Sequence, residues 1–186
     1  MPSSAYADVH LDLADAVTLH PLMGKDSVEP FLQRCLVTGG AVFVLVRTSN
    51  ASATEFQGVH TRDGEELSDV IAAHVHQWGE GLGDAHDYGP VGAVVGATYP
   101  QEMARLRGRM PRALILVPGV GAQGGTVRDA LSAFDAHGVG GIVNQSRGVA
   151  QCFAPDDPQW LDRVVTAAKS FSTEMHNALR AQGTIK

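Results

Sequence analysis

Five short, almost continuously apolar runs punctuate the chain: Ala16–Leu19, Ala41–Val46, Val91–Val95, Ala113–Val117 and Gly141–Val143. Runs of this length without polar alternation predict strands covered on both faces, the habit of parallel sheets. Between them, apolar residues return at helical spacing. Val28, Phe31, Leu32, Cys35 and Leu36 mark one stripe, and Leu67, Val70, Ile71, Val75 and Trp78 the next. Val127, Ala130, Leu131 and Phe134 mark a third, and Leu161, Val164, Val165, Ala168 and Met175 a fourth. A short helix is expected over residues 100–107, between the third and fourth strands. The polar, glycine-bearing stretches Asn50–Gly64 and Gly79–Pro90 are expected to be loops.

Helix-end signals agree with this division. Asp26, with Glu29 following, is expected to start the first helix, and Thr126 to cap the third. Asp157-Pro158 suits an N-cap and first helical position, while Gly39 and Gly138 suit helix ends. The result is a single domain of five consecutive β/α units. A closed eight-unit barrel takes about 250 residues, so 186 residues predict either an open doubly wound sheet or part of a barrel.

Composition narrows the function classes. The 14 Lys plus Arg against 20 Asp plus Glu give a net charge of −6, with no basic run, which argues against a nucleic-acid partner. Cys35 and Cys152 match no zinc or redox spacing and read as thiols in a reducing compartment. No apolar run approaches a membrane span, and residues 1–8 lack the features of a secretory signal. A cytoplasmic protein with no metal and no membrane partner is the expectation.

The chemistry is concentrated at two strand ends. Leu114-Ile115-Leu116-Val117 runs into Pro118-Gly119-Val120-Gly121-Ala122-Gln123-Gly124-Gly125-Thr126, a glycine-rich turn that opens a helix. Such a junction is expected to offer free backbone N–H groups and a helix dipole to a phosphate. The next strand ends in Asn144-Gln145-Ser146-Arg147-Gly148, where Arg147 adds a two-pronged donor suited to a phosphate dianion. Backbone N–H groups of Ser146, Arg147 and Gly148 would complete the cradle, and Gln123 can reach both a phosphate and a polar ring. The bland alternative is a tight turn beside a solvated surface charge. Gly119 to Gly124 also fits the dinucleotide fingerprint, but no acidic residue follows at the ribose-binding distance; Asn144 and Arg147 stand there instead. Ser49, in Arg47-Thr48-Ser49-Asn50 at the second strand end, can bond a planar amide or belong to an ordinary turn. His74 and His76, two apart on a helix, make a poor metal pair, and His20, Asp26, Glu55 and Asp63 form no catalytic constellation.

These two strand ends closely resemble those of orotidine 5′-phosphate decarboxylases, above all the longer-chain bacterial subgroup. Ala5-Tyr6-Ala7-Asp8, Asp15-Ala16-Val17-Thr18 with Pro21, Gly24 and Asp26-Ser27, and Val42-Phe43-Val44-Leu45 through Thr48-Ser49-Asn50 extend the likeness from near residue 5 to about residue 150. The resemblance implies part of a (β/α)₈ barrel, strands four to eight, in a usually dimeric enzyme. That enzyme converts orotidine monophosphate to uridine monophosphate and carbon dioxide in pyrimidine biosynthesis, without metal or cofactor. It implies that Ser49 binds the pyrimidine amide edge, that Gln123 bridges phosphate and base, and that Ser146 and Arg147 hold the phosphate beside Gly124. Pro118 and Val120 would flank the base.

One departure matters. The family's reaction depends on an Asp-x-Lys-x-x-Asp motif, whose lysine protonates the carbanion left at C6. Lys25, Lys169 and Lys186 are the only lysines here, and none stands in that context. The resemblance puts the motif just before Ala5, in front units supplied by another segment or lost. The chain itself is then expected to carry no catalytic residue, to bind nucleotide without useful turnover, and to self-associate or pair with a complementing segment. A non-catalytic phosphoribosyl-binding module and a Rossmann-like dinucleotide binder are the alternatives.

Overall fold

The computed structural model describes residues 13–82 and 88–185. Five parallel strands form one sheet: β1 (Ala16–Leu19), β2 (Ala41–Arg47), β3 (Val91–Val95), β4 (Ile115–Val117) and β5 (Gly141–Val143). They lie side by side in sequence order, each paired in parallel with the next. Every crossover therefore steps one strand in the same direction, and right-handed crossovers place all connecting helices on one face. A doubly wound sheet needs a reversal of strand order to put helices on its second face. None occurs here, so the open doubly wound and Rossmann-like readings fail, and the sheet is an arc of a (β/α)₈ barrel.

The helices are α1 (Lys25–Thr38), α2 (Thr54–Gln57), α3 (Leu67–Gly79), α4 (Pro100–Arg109), α5 (Val127–Ala130) and α6 (Trp160–Ala181). Val42, Val44 and Val46 of β2, Val91, Ala93 and Val95 of β3, and Ile115 and Val117 of β4 are buried in a common core with these helices. From α1, Val28, Phe31, Leu32 and Cys35 enter that core at the expected spacing, and α4 adds Met103 and Leu106.

Among the described residues the other face carries no helix layer, which corrects the expectation of strands covered on both sides. Strand register aligns Leu45 with Val94, Val94 with Leu116, and Leu116 with Ile142, so these four form one apolar row across the sheet. Phe43 is partnered with Gly92 in register, and a Cβ on Gly92 would come within 2.7 Å of its ring. That close approach buries Phe43, whereas Ile142 at the end of the row remains 43% exposed.

Several local expectations shift. Asp26 does not cap α1; Gly24 precedes the helix, and Asp26 sits inside its first turn, where a carboxylate suits the positive dipole end. Leu36 points away from the core and is exposed, while Gly39 closes α1 in the left-handed conformation as expected. The third stripe breaks early: α5 stops at Ala130, a 3₁₀ turn follows over Leu131–Ala133, and Gly138 closes a turn back to Asp135 instead of a helix. Asp157 caps the turn before α6 by accepting the Gln159 N–H at 2.8 Å, so the helix begins only at Trp160. The loop expected over Asn50–Gly64 contains a 3₁₀ turn and the short α2. α3 is rotated slightly because its buried Asp69 faces α4, with Arg105 Nε and Arg109 Nε each 3.2 Å from Oδ1.

At the amino end of the sheet, the Tyr88 hydroxyl donates to Asp135 Oδ2 at 2.9 Å and ties the approach to β3 to the approach to β5. Gly140 permits this, since a Cβ there would collide with the phenol oxygen.

Two measurements check this packing. Ile115→Ala, at a fully buried position, should lower the urea-derived unfolding free energy by about 2–5 kcal/mol; a change close to zero would contradict the core assignment. Burial, followed by the neighbouring Asp135 carboxylate, pushes the Tyr88 hydroxyl up to about 12. The unfolded chain releases that proton at a lower pH, near 10, so the stabilisation is whole below pH ~10 and is lost as pH rises toward ~12. The stability gap between wild type and Tyr88→Phe should therefore shrink over that alkaline window, and a gap independent of pH contradicts the coupling.

Candidate nucleotide-binding site

Parallel strands present all their carboxyl ends at one rim, and the loops after β2, β3, β4 and β5 meet there. The loop after β2 is fixed first. Thr48 N–H donates to Gln57 Oε1 at 2.8 Å, Gln57 Nε2 donates to Thr48 Oγ1 at 2.9 Å, and Thr48 Oγ1 donates to Asn50 Oδ1 at 2.6 Å. Gln57, on the helix that sequence periodicity missed, is thus the anchor of this strand end. Its signal in the sequence was slight: one amide in a polar stretch.

Ser49 is wedged between two neighbouring strand ends. A Cβ on Gly96, just past β3, or on Gly119, just past β4, would each lie 2.7 Å from Ser49 Cβ. Only glycine admits the serine at that depth. Gly96 N–H donates to the Arg47 carbonyl at 2.7 Å, holding the two strand ends in step. From this position Ser49 Oγ donates to Gln123 Oε1 at 2.9 Å, across to the turn after β4. Gln123 therefore keeps its amide N–H donors for another partner.

The glycine turn differs from its expected chemistry. Gly119, Gly121 and Gly124 adopt φ of 97°, 83° and 94°, a region open to glycine and strained for other residues. However, Gly121 N–H donates to Gly125 O, Gly124 N–H to Gly121 O and Gly125 N–H to Gly119 O. Three of its amides are engaged within the turn and are not free for an anion. The start of α5 is occupied as well. Thr126 Oγ1 accepts the Asp129 N–H at 3.2 Å, while Thr126 N–H donates to Asp129 Oδ2 at 2.8 Å. With a carboxylate already at that end, the helix dipole is not a phosphate seat.

The groups left with free donors lie on the two loops. Ser146–Ala150 forms a π-helical turn after β5, whose leading N–H groups at Ser146, Arg147 and Gly148 have no carbonyl inside the turn to bond. Ser146, Arg147 and Gln123 are exposed at the same rim, and among the described residues Arg147 has no acidic partner. Gln145 joins the loops: a Cβ on Gly121 would lie 2.6 Å from its Nε2, and one on Gly148 would lie 2.6 Å from its Cδ. The sequence pattern alone gives Gln145 no evident role. Gly124 faces open space at the tip of the turn, and Pro118 is half-buried beside it. Val120 is buried, at 6% exposure, and belongs to the core.

The remaining candidates have ordinary surroundings. His74 stacks on Trp78 with centroids 5.6 Å apart, and His76 lies 3.6 Å from Glu80. His20 Nδ1 accepts the Leu22 N–H at 3.3 Å. Asp26, Glu55 and Asp63 are exposed, and no group of three or more metal-ligating side chains occurs among the described residues.

Comparison with known proteins agrees with this architecture. The profile of the Orotidine 5′-phosphate decarboxylase / HUMPS family matches residues 3–156. The orotidine 5′-phosphate decarboxylase of Rhodopirellula baltica is 39% identical over 93% of this chain and 62% of its own length. That of Deinococcus radiodurans is 46% identical over 73% of this chain and 48% of its own length. The structure of Leishmania donovani UMP synthase superposes with a TM-score of 0.76 and 36% identity, covering 94% of this chain and 36% of that one. The chain thus spans about half of the length of the curated relatives it matches. With its one-sided arc of parallel units and a profile match over most of its residues, the chain belongs to the orotidine 5′-phosphate decarboxylase / HUMPS family.

Proposed function

We propose that this chain is the pyrimidine- and phosphate-binding part of a decarboxylase that converts orotidine monophosphate to uridine monophosphate and carbon dioxide. By itself it binds nucleotide without decarboxylating it. The hydrogen bond from Ser49 to Gln123 carries the reading. It places an amide and a hydroxyl together at the rim, where the edge of a planar pyrimidine amide needs one donor and one acceptor.

Each group then has a task. Ser49 takes the base edge beside Pro118, and the Gln123 amide reaches from the base to the phosphate. Ser146 and Arg147 hold the phosphate over the open space at Gly124. The unpaired guanidinium of Arg147 favours this, since two parallel N–H donors match a phosphate dianion. Loss of carbon dioxide leaves an electron pair at C6 that must receive a proton from a nearby acid. Lys25 sits at the start of α1 within 3.6 Å of Glu29, and Lys169 is exposed on α6; neither is bonded to Ser49, Gln123, Ser146 or Arg147. Binding energy gathered at the phosphate accelerates a reaction only through groups at the reacting carbon.

The helix-free apolar row from Leu45 to Ile142 and the two outer strands favour association with further β/α units or another copy of the chain. A cytoplasmic setting suits the two unpaired thiols, Cys35 and Cys152. No helix among the described residues is long and apolar enough to cross a membrane.

Calorimetric titration of the purified chain with uridine monophosphate tests the binding. Arg147→Ala should weaken it by roughly ten- to a hundredfold, the worth of a charged hydrogen bond, and an unchanged affinity refutes the phosphate assignment. Carbon dioxide release from orotidine monophosphate by the chain alone should stay at background, so measurable turnover overturns the inactive reading. Light scattering should report self-association, and a monodisperse monomer contradicts it.

A further inference from the structure

Arg47 is among the largest fully buried side chains, at 2% exposure, and lies two residues from Ser49. Strict alternation along β2 would put it on the helix-free face with Phe43 and Leu45. Instead the pairing jumps from Leu45–Val94 to Arg47–Val95, leaving Val46 as an extra residue. Residues paired across parallel strands share a face, so this irregularity turns Arg47 to the helix side with Val95. There Nε bonds Glu102 Oε2 at 2.6 Å and Nη2 bonds Glu102 Oε1 at 3.3 Å. The guanidinium also lies over the Tyr99 ring, 3.7 Å from its centroid.

This is a costly way to end a strand. A buried ion pair is often no more stabilising than apolar side chains of the same volume, and Arg47 Nη1 has no hydrogen-bond partner. What the arrangement does supply is a fixed position. Its side chain is gripped from α4, and its carbonyl accepts Gly96 N–H at 2.7 Å. Gly96 is one of the two glycines between which Ser49 is wedged. The chain of contacts runs from Glu102 and Tyr99 through Arg47 and Gly96 to Ser49, and from there to Gln123.

We propose that Arg47, held by Glu102 and Tyr99, is a positioning residue that sets Ser49 against Gln123 and thereby gives the site its preference for a pyrimidine over a bare sugar phosphate. The role rests on the nucleotide-binding reading above. It requires that Arg47 act more on base recognition, through Ser49 and Gln123, than on phosphate recognition, whose charge comes from Arg147.

The test compares uridine monophosphate with ribose 5-phosphate as ligands of the full chain. Arg47→Lys keeps the charge but replaces the planar fork with a point charge that can neither bond Glu102 twice nor stack as well on Tyr99. It should weaken the nucleotide about fivefold, the worth of one net hydrogen bond, and weaken ribose 5-phosphate clearly less. Ser49→Ala should do the same, and the double variant should be no weaker than Ser49→Ala alone. Glu102→Gln, altered on α4 and away from the ligand, should repeat the effect and serves if Arg47→Lys does not fold. Equal loss for both ligands, full additivity with Ser49→Ala, or no loss at all overturns the proposal.

A ligand-free measurement separates its failure from failure of the binding site. The Gln123 side-chain amide resonances should move in Arg47→Lys in the direction they move in Ser49→Ala; unmoved resonances overturn the role of Arg47. A wild-type chain that binds both ligands equally would sink the site reading, while these resonances still decide whether Arg47 places Ser49.

Discussion

Ser49 reaches Gln123 only because two side chains are missing. Gly96 and Gly119 bring the ends of β3 and β4 so close that a Cβ at either would stand 2.7 Å from Ser49 Cβ. The hydroxyl then spans from the end of β2 to the turn after β4. That crossing ties the strand ends into one rim, and the candidate site depends on it. Gln145 does comparable work one strand further on, filling the space left by Gly121 and Gly148. The rim is built less by free amides than by side chains fitted into glycine gaps.

This changes how the glycine turn functions. A glycine-rich strand-to-helix junction ordinarily offers its amides to a phosphate. Here Gly121, Gly124 and Gly125 use theirs within the turn, and Asp129 closes the start of α5. The turn is therefore a rigid mount that aims Gln123. In the proposed function, charge for the anion comes from Arg147 on the neighbouring loop, whose guanidinium has no acidic partner among the described residues. Placing the charge on one loop and the base contact on another lets each be tuned separately.

Much of the sheet was legible because strands with one face in a helix layer and the other in a curved arc need apolar residues throughout. Ala16–Leu19, Val91–Val95 and Gly141–Val143 form as expected. Strand order was not legible, since periodicity says nothing about which neighbour a strand pairs with. The candidate residues Ser49, Gln123, Ser146 and Arg147 each follow one of the strands β2, β4 and β5, and the structure joins Ser49 to Gln123 by a hydrogen bond. Val120, between the buried Gly119 and the exposed Gly121, turns its side chain into the core. Gln57 and Arg47 escaped notice. Arg47 matters through Glu102, 55 positions away along the chain, and Gln57 through Thr48, across a segment with no helical periodicity.

A crystal structure of the chain with uridine monophosphate bound tests the central claim most directly. The account predicts one phosphate shared by the Arg147 guanidinium and the Gln123 amide, with the pyrimidine edge on Ser49. Ordered nucleotide at any other place, or Arg147 and Gln123 too far apart to share a phosphate, would contradict it.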